Sequence, residues 1–258
     1  MSEYWKYLYA IGSSAEAETF DLGALSGAGL ASSDVEVVTR GSLAAYVSDV
    51  PAKKVRPVRK NLAAHHAVLR ELALKTTALP MSFGMIAEDV DEVAGLLDSR
   101  QDDLAERVER LAGRVEMTLR VRFDVENVFA MFIDQHDDLR AARDRVVAAG
   151  SGDSPAGREA HMAAGELFAA ILERTREDDR AMLDEEIVQA CEEVRWNDPR
   201  DETESVSLAA LVKRDAVAAF EEAVHRAAEQ FDDRYVFDLG GPHPPHTFVS
   251  VQLSLDAA

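Results

Sequence analysis

The sequence holds one cysteine, Cys191, in 258 residues. An intrachain disulfide is therefore impossible and a cysteine zinc knuckle is excluded. A cytoplasmic location is the default expectation for such cysteine usage. No apolar run approaches the roughly 20 residues of a membrane span. The opening, MSEYWKYLYAIG, lacks the basic and apolar regions of a secretory signal and instead suggests a first strand. Lysine is scarce, so most of the positive charge is arginine, and 28 basic side chains face 48 acidic ones for a net charge of −20. A surface of that sign repels nucleic-acid backbone and anionic lipid, so neither is expected as a partner. The balance suits a high-GC genome or a salt-adapted host, and it keeps a protein soluble while it handles an apolar partner. One positive stretch remains, KKVRPVRK from Lys53 to Lys60. It either docks an acidic partner or balances nearby acid, and the second reading is slightly favoured.

Catalytic motifs are missing as well. There is no phosphate-binding Gly–Lys loop, and GALSGAGLASSD lacks both the glycine spacing and the strand–helix context of a dinucleotide site. Neither a Gly-x-Ser-x-Gly elbow nor a His-Glu-x-x-His helix occurs. His65 and His66 are adjacent, about 100° apart on a helix, and do not aim at one metal ion. His136 precedes Asp137 and Asp138, which reads as a charged helix face. His243 and His246 flank Pro244 and Pro245 in a rigid turn, where Asp238 is the one further ligand near in sequence. Carboxylate pairs such as Asp137/Asp138 and Glu185/Glu186 read as solvated faces. Acid near Cys191 raises its pKa and argues against a reactive thiolate. No metal, no cofactor and no enzymatic activity are expected.

What is present is organised around the stretch from His65 to Asp89. It starts as a helix, with Val68, Leu69, Leu72 and Ala73 at helical spacing. It breaks into TTALPMSFGMI, where Pro80 removes a donor and Gly84 supplies a permissive point after Phe83. A second helix then begins near Asp89 and carries Val93, Leu96, Leu97, Leu104, Val108 and Leu111. Upstream lie an aromatic strand from Tyr4 to Gly12, a loop-like SSAEAETFDLGALSGAGLASSD, and a hairpin turning at Arg40-Gly41-Ser42. Glu116 to Asp124 alternates as a half-buried strand. Residues 1–124 are thus expected to form an α+β domain, an antiparallel sheet with helices in a modified ferredoxin-like layout. Residues 125–258 are expected to form a second α+β domain. Its parts are a helix from Val125, the loop GSGDSPAG, a long helix from Arg158 to about Cys191, and a strand, loop and strand. A helix, the strand YVFDLG, the turn GPHPPH and the strand TFVSVQLSL complete it. The two long helices read as a helical hairpin.

Four blocks of this sequence resemble the gas vesicle accessory family of proteins F and L. YLYAI is similar to its opening strand. AHHAVLRELA followed by LPMSFGMI is similar to its helix with a histidine and LP-x-x-FG strand. RLAGRVEMTLRVRFD is similar to its L-x-G-x-x-E helix end, and GGPHPPHTFV to its GPWPPYxFV turn. His243 and His246 depart from that pattern, standing where aromatic residues are usual. The resemblance implies a two-domain, non-enzymatic accessory protein needed for gas vesicle formation, in the cytoplasm and at the vesicle. It implies binding to the hydrophobic shell protein and to other accessory proteins, in a chaperone or nucleation role. The alternatives are a minor structural component or scaffold of the vesicle, and a hydrolase using the histidine-rich turn. Whether the chain is F-like or L-like, and its oligomeric state, stay open. Candidate partner-binding residues are Leu79, Pro80, Phe83 and Gly84 with Pro242, His243, Pro244, Pro245 and His246. Phe83 is expected in the core.

Overall fold

The computed structural model describes residues 4–150, 152 and 154–249. The first strand, β1 (Trp5–Ser13), is followed by a short helix α1 (Ser14–Thr19) and two 3-10 turns, Leu22–Leu25 and Leu30–Ser32. This stretch was expected to be loop. Next come the hairpin strands β2 (Val35–Arg40) and β3 (Leu43–Val50), the helix α2 (Arg59–Lys75), and two short strands, β4 (Leu79–Pro80) and β5 (Ile86–Ala87). The connectivity β1–α1–β2–β3–α2–β4 is the β-α-β-β-α-β order of a ferredoxin-like layout. The strand order is β2-β3-β1-β4, with β5 also on β1, and every pairing is antiparallel. Tyr7, Leu8, Tyr9, Ala10 and Ile11 are all 0% exposed, so β1 is covered on both faces. Val68, Leu69 and Leu72 of α2 join Tyr7, Tyr9 and Tyr46 in one core.

The apolar run after Asp89 is two helices, α3 (Val90–Ser99) and α4 (Gln101–Arg110). The Asp89 side chain caps α3 by accepting from Glu92 N at 2.9 Å. Arg100, at φ −121° and ψ 19°, ends it, and Asp102 and Asp103 restart α4 with acid in its first turn. Strand β6 (Arg114–Phe123) follows. Likewise α5 (Val128–Gln135) and α6 (Asp137–Ala149) replace one expected helix, broken at the extended His136 ahead of two aspartates. The long helix α7 (Pro155–Ala190) is capped by Ser154, whose hydroxyl accepts from Gly157 N at 2.9 Å, with Pro155 at its first position. It packs against α6. Strands β7 (Glu193–Asn197) and β8 (Glu204–Lys213), helix α8 (Val217–Ala228) and strand β9 (Tyr235–His243) complete the order. Among the described residues no helix is long and apolar enough to cross a membrane.

The second sheet is antiparallel in the order β7-β8-β6-β9. Strand β6, expected to complete the first sheet, is therefore central in the second, because β8 and β9 take its two edges. The described chain groups into two compact units. One holds the described residues up to Met117, Ala210–Val217 and those from Gly240 on, and the other the described residues of Thr118–Ala209 and Ala218–Leu239. The division expected at 124/125 keeps the C-terminal turn with the second half, whereas here it groups with the first. The expected strand TFVSVQLSL begins as a 3-10 turn, His246–Phe248, and from residue 250 lies outside the described residues.

Candidate functional site

The LPMSFG segment leaves the first sheet between two anchors. Met81 N donates to Tyr9 O at 2.8 Å, and Leu8 N donates to Met85 O at 2.9 Å. At the same level β1 shifts register against β3 on its other edge, from Leu8 to Ala10. Pro80 is tolerated because β4 is an edge strand. The excursion turns at Gly84, whose φ of +94° a side chain rarely adopts. Leu79 and Pro80 are buried, Phe83 is half-buried and Gly84 is exposed. The Phe83 ring meets His65 at 5.6 Å and Tyr7 at 5.9 Å, edge-on to both. Its expected core role is therefore shared with surface.

Two buried side chains, Tyr7 and His65, hold this loop. Gly84 N donates to the Tyr7 hydroxyl at 3.0 Å. The Tyr7 hydroxyl in turn lies 3.0 Å from His65 Nδ1 and donates to it. The remaining imidazole N–H of His65 serves the Met81 carbonyl. His65 is 2% exposed. Burial first, then the nearby His66 and His246, push its pKa down to about 4, so it is neutral at pH 7 and fits this pattern of one acceptor and one donor nitrogen. Burial likewise raises the Tyr7 phenol and keeps its proton on.

The C-terminal turn reaches the same place. His246 packs on His66 of α2 with ring centroids 6.4 Å apart. The Glu116 carboxylate, at the start of β6, accepts from Thr247 N at 2.7 Å and from Thr247 Oγ1 at 2.9 Å. Phe248 is 2% exposed and anchors the end. Gly241, at φ +123°, lies so close that an added Cβ would stand 2.6 Å from Met117 Sδ and 2.9 Å from Glu116 O. Pro244 and Pro245 are buried, Pro242 is half-buried, and His243 and His246 are exposed. Surrounding protein atoms, then the imidazole of His66, hold both His243 and His246 below the ordinary histidine pKa.

Two blocks far apart in sequence thus meet on α2, one through His65 and the other through His66. Of the candidates, Phe83, Gly84, Pro242, His243 and His246 offer surface. Leu79, Pro80, Pro244 and Pro245 face the core and correct that part of the expectation, since their apolar area is already covered. Sequence reasoning missed Tyr7, Glu116 and Thr247. The signal for Glu116 was a carboxylate between Val115 and Met117, both apolar, in a strand whose other charged residues are arginines.

Elsewhere, Asp179 of α7 is 2% exposed and raised in pKa by burial. Its carboxylate accepts from the Ser205 hydroxyl and, at 3.3 Å, from the Tyr235 hydroxyl. Burial first and Asp184 second push the Cys191 thiol up to about 11, as the acid around it led us to expect. Among the described residues no three His, Cys, Asp or Glu side chains are placed to hold a metal ion.

Comparison with known proteins gives three findings. The family described as gas vesicle synthesis protein GvpL/GvpF matches residues 5–250. A relative named gas vesicle protein F, from a Streptomyces sp., is 32% identical over 215 residues, covering 83% of this chain and 87% of the relative. Among solved structures, the gas vesicle protein GvpF from Anabaena sp. PCC7120 aligns with a TM-score of 0.79 at 26% identity, over 97% of this chain and 100% of that one. GvpF from Microcystis aeruginosa shares the fold, with a TM-score of 0.76 at 22% identity over 95% and 98% of the two chains.

Proposed function

The chain belongs to the gas vesicle synthesis protein GvpL/GvpF family, and on that premise we propose that it is a non-enzymatic assembly factor that binds the hydrophobic gas vesicle shell protein and other accessory proteins. The family match across residues 5–250 carries the reading. The surface on α2 gives it a physical form. Phe83, Gly84, Pro242, His243 and His246 present ring edges, backbone and imidazoles that are held neutral. A partly apolar patch on a chain of net charge −20 captures an apolar segment while the surrounding acid keeps loaded molecules apart. A non-enzymatic role is supported by the use of the perturbed groups. The polar atoms of Tyr7, His65 and Asp179 are engaged in internal hydrogen bonds that hold loop and helix. The protein acts in the cytoplasm and at the growing vesicle.

Co-expression with the shell protein, followed by pull-down and a solubility assay, tests this. Specific co-purification with more soluble shell protein is expected. Absence of association with the shell protein and with each accessory protein overturns the reading. Stoichiometry in purified vesicles separates an assembly factor, which leaves, from a scaffold component, which stays.

A further inference from the structure

The basic stretch Lys53–Lys60 is not balanced by acid within the fold. Lys53, Lys54, Arg56, Arg59 and Lys60 are all exposed. Among the described residues none of the five makes an ion pair, unlike Arg100 and Arg107, which share Asp103. Lys53 instead lies over the Trp5 ring at 5.2 Å. The slightly favoured expectation of internal charge balance is therefore corrected.

The stretch is also built, not loose. The Arg56 carbonyl accepts from Val58 N at 2.8 Å and from Asn61 Nδ2 at 3.0 Å, which closes the turn into α2. Leu62 N donates to Val58 O at 3.0 Å and starts the helix. Its N-cap, Val58, offers no capping side chain, and its first turn holds Arg59 and Lys60 with no acid. Cations at the positive end of a helix oppose the helix dipole, and the first backbone N–H groups stay open. Five cations, uncapped donors and the 47% exposed Val58 occupy one short stretch.

We propose that this segment docks a short acidic segment of another protein, whose carboxylates meet the five cations and the α2 N-terminus and whose apolar side chain covers Val58. The size of the patch selects that occupant. Eight residues span at most about 29 Å even when extended. Charges beyond roughly 8 Å are screened at physiological salt. A short acidic peptide stays within the basic patch, whereas a nucleic acid or a lipid surface extends onto the acid that gives the chain its charge of −20. This inference rests on the segment's own charge and geometry, not on the gas vesicle reading.

The test is fluorescence anisotropy on the full chain with three probes. These are a labelled peptide of about ten aspartates and glutamates with one central leucine, a single-stranded DNA of about ten nucleotides, and vesicles containing phosphatidylserine. The peptide is expected to bind best and to weaken as salt rises from about 50 to about 300 mM. Arg59→Glu with Lys60→Glu is expected to weaken it at least about tenfold, with an unchanged or higher Tm, because acid suits a first helical turn. Arg174→Glu, an exposed cation on α7, is expected to leave binding unchanged. No peptide binding, equal binding by the double variant, equal loss with Arg174→Glu, or tighter binding to DNA or vesicles overturns the proposal.

Discussion

At the scale of single residues, the Tyr7 hydroxyl links the loop to α2: it accepts from Gly84 N and is hydrogen-bonded to His65 Nδ1. Tyr7→Phe removes this partner from Gly84 N and, at a buried site, from His65 Nδ1, and should cost about 1–3 kcal/mol in urea unfolding. His65 adds a pH dependence. Its pKa of about 4 in the fold lies below the ordinary 6.5, so the unfolded chain binds the extra proton. This contribution is complete above pH 6.5 and is lost as pH falls towards 4, by up to about 3 kcal/mol. The His65→Gln protein should show a flatter stability profile than wild type across that window, and an unchanged slope would refute the depressed pKa. Phe83→Ala should cost about 2 kcal/mol, less than a full core ring, because Phe83 is only half-buried. Wild-type stability together with lost shell-protein pull-down would make Phe83 purely a contact residue.

At the scale of elements, the clasp between β6 and the 3-10 turn at His246–Phe248 depends on Glu116 and on Gly241. Glu116→Ala removes the carboxylate that accepts from Thr247 N and Thr247 Oγ1 and should cost about 2 kcal/mol, with faster proteolysis near residues 240–249. Gly241→Ala is harsher. Its Cβ would meet Met117 and Glu116 backbone at a φ of +123°, so calorimetry should show a loss of about 3 kcal/mol or more. The periodicity of Val68, Leu69, Leu72 and Ala73 made α2 legible, and alternation made β6 legible, because local pattern reports which face is buried. Neighbours are another matter. Alternation in β6 does not say that β8 and β9 flank it, since those strands lie some 80 to 130 positions further on. Nor did the period reveal the breaks at Arg100 and His136, because Val93 and Leu97 before the first break and Leu104 and Val108 after it all remain buried. The meeting of His65 with Phe83 and of His66 with His246 followed from topology, although each block had been singled out by sequence.

At the scale of the whole molecule, the charge of −20 sets an opposition between two effects of salt. Exposed ion pairs such as Arg122 with Asp238 and Arg226 with Glu186 weaken as salt rises. Each such pair contributes only about 0–1 kcal/mol. The excess acid repels itself throughout the surface, and salt screens that repulsion as well, over a Debye length that shrinks from about 30 Å at 0.01 M to about 10 Å at 0.1 M. With 48 acidic side chains against 28 basic ones, 20 acidic groups have no opposite charge to pair with, so repulsion outweighs pairing. Raising sodium chloride from about 20 to about 300 mM should therefore stabilise the protein by about 1 kcal/mol, a Tm rise of about 2–4 °C for a chain of this size. The same screening should lower the solubility of its complexes with an apolar partner, because like charge is what holds loaded molecules apart. A Tm that falls with salt would show that the ion pairs dominate. Solubility of the loaded complex that does not change with salt would remove electrostatic repulsion as the reason an acidic chain suits this task.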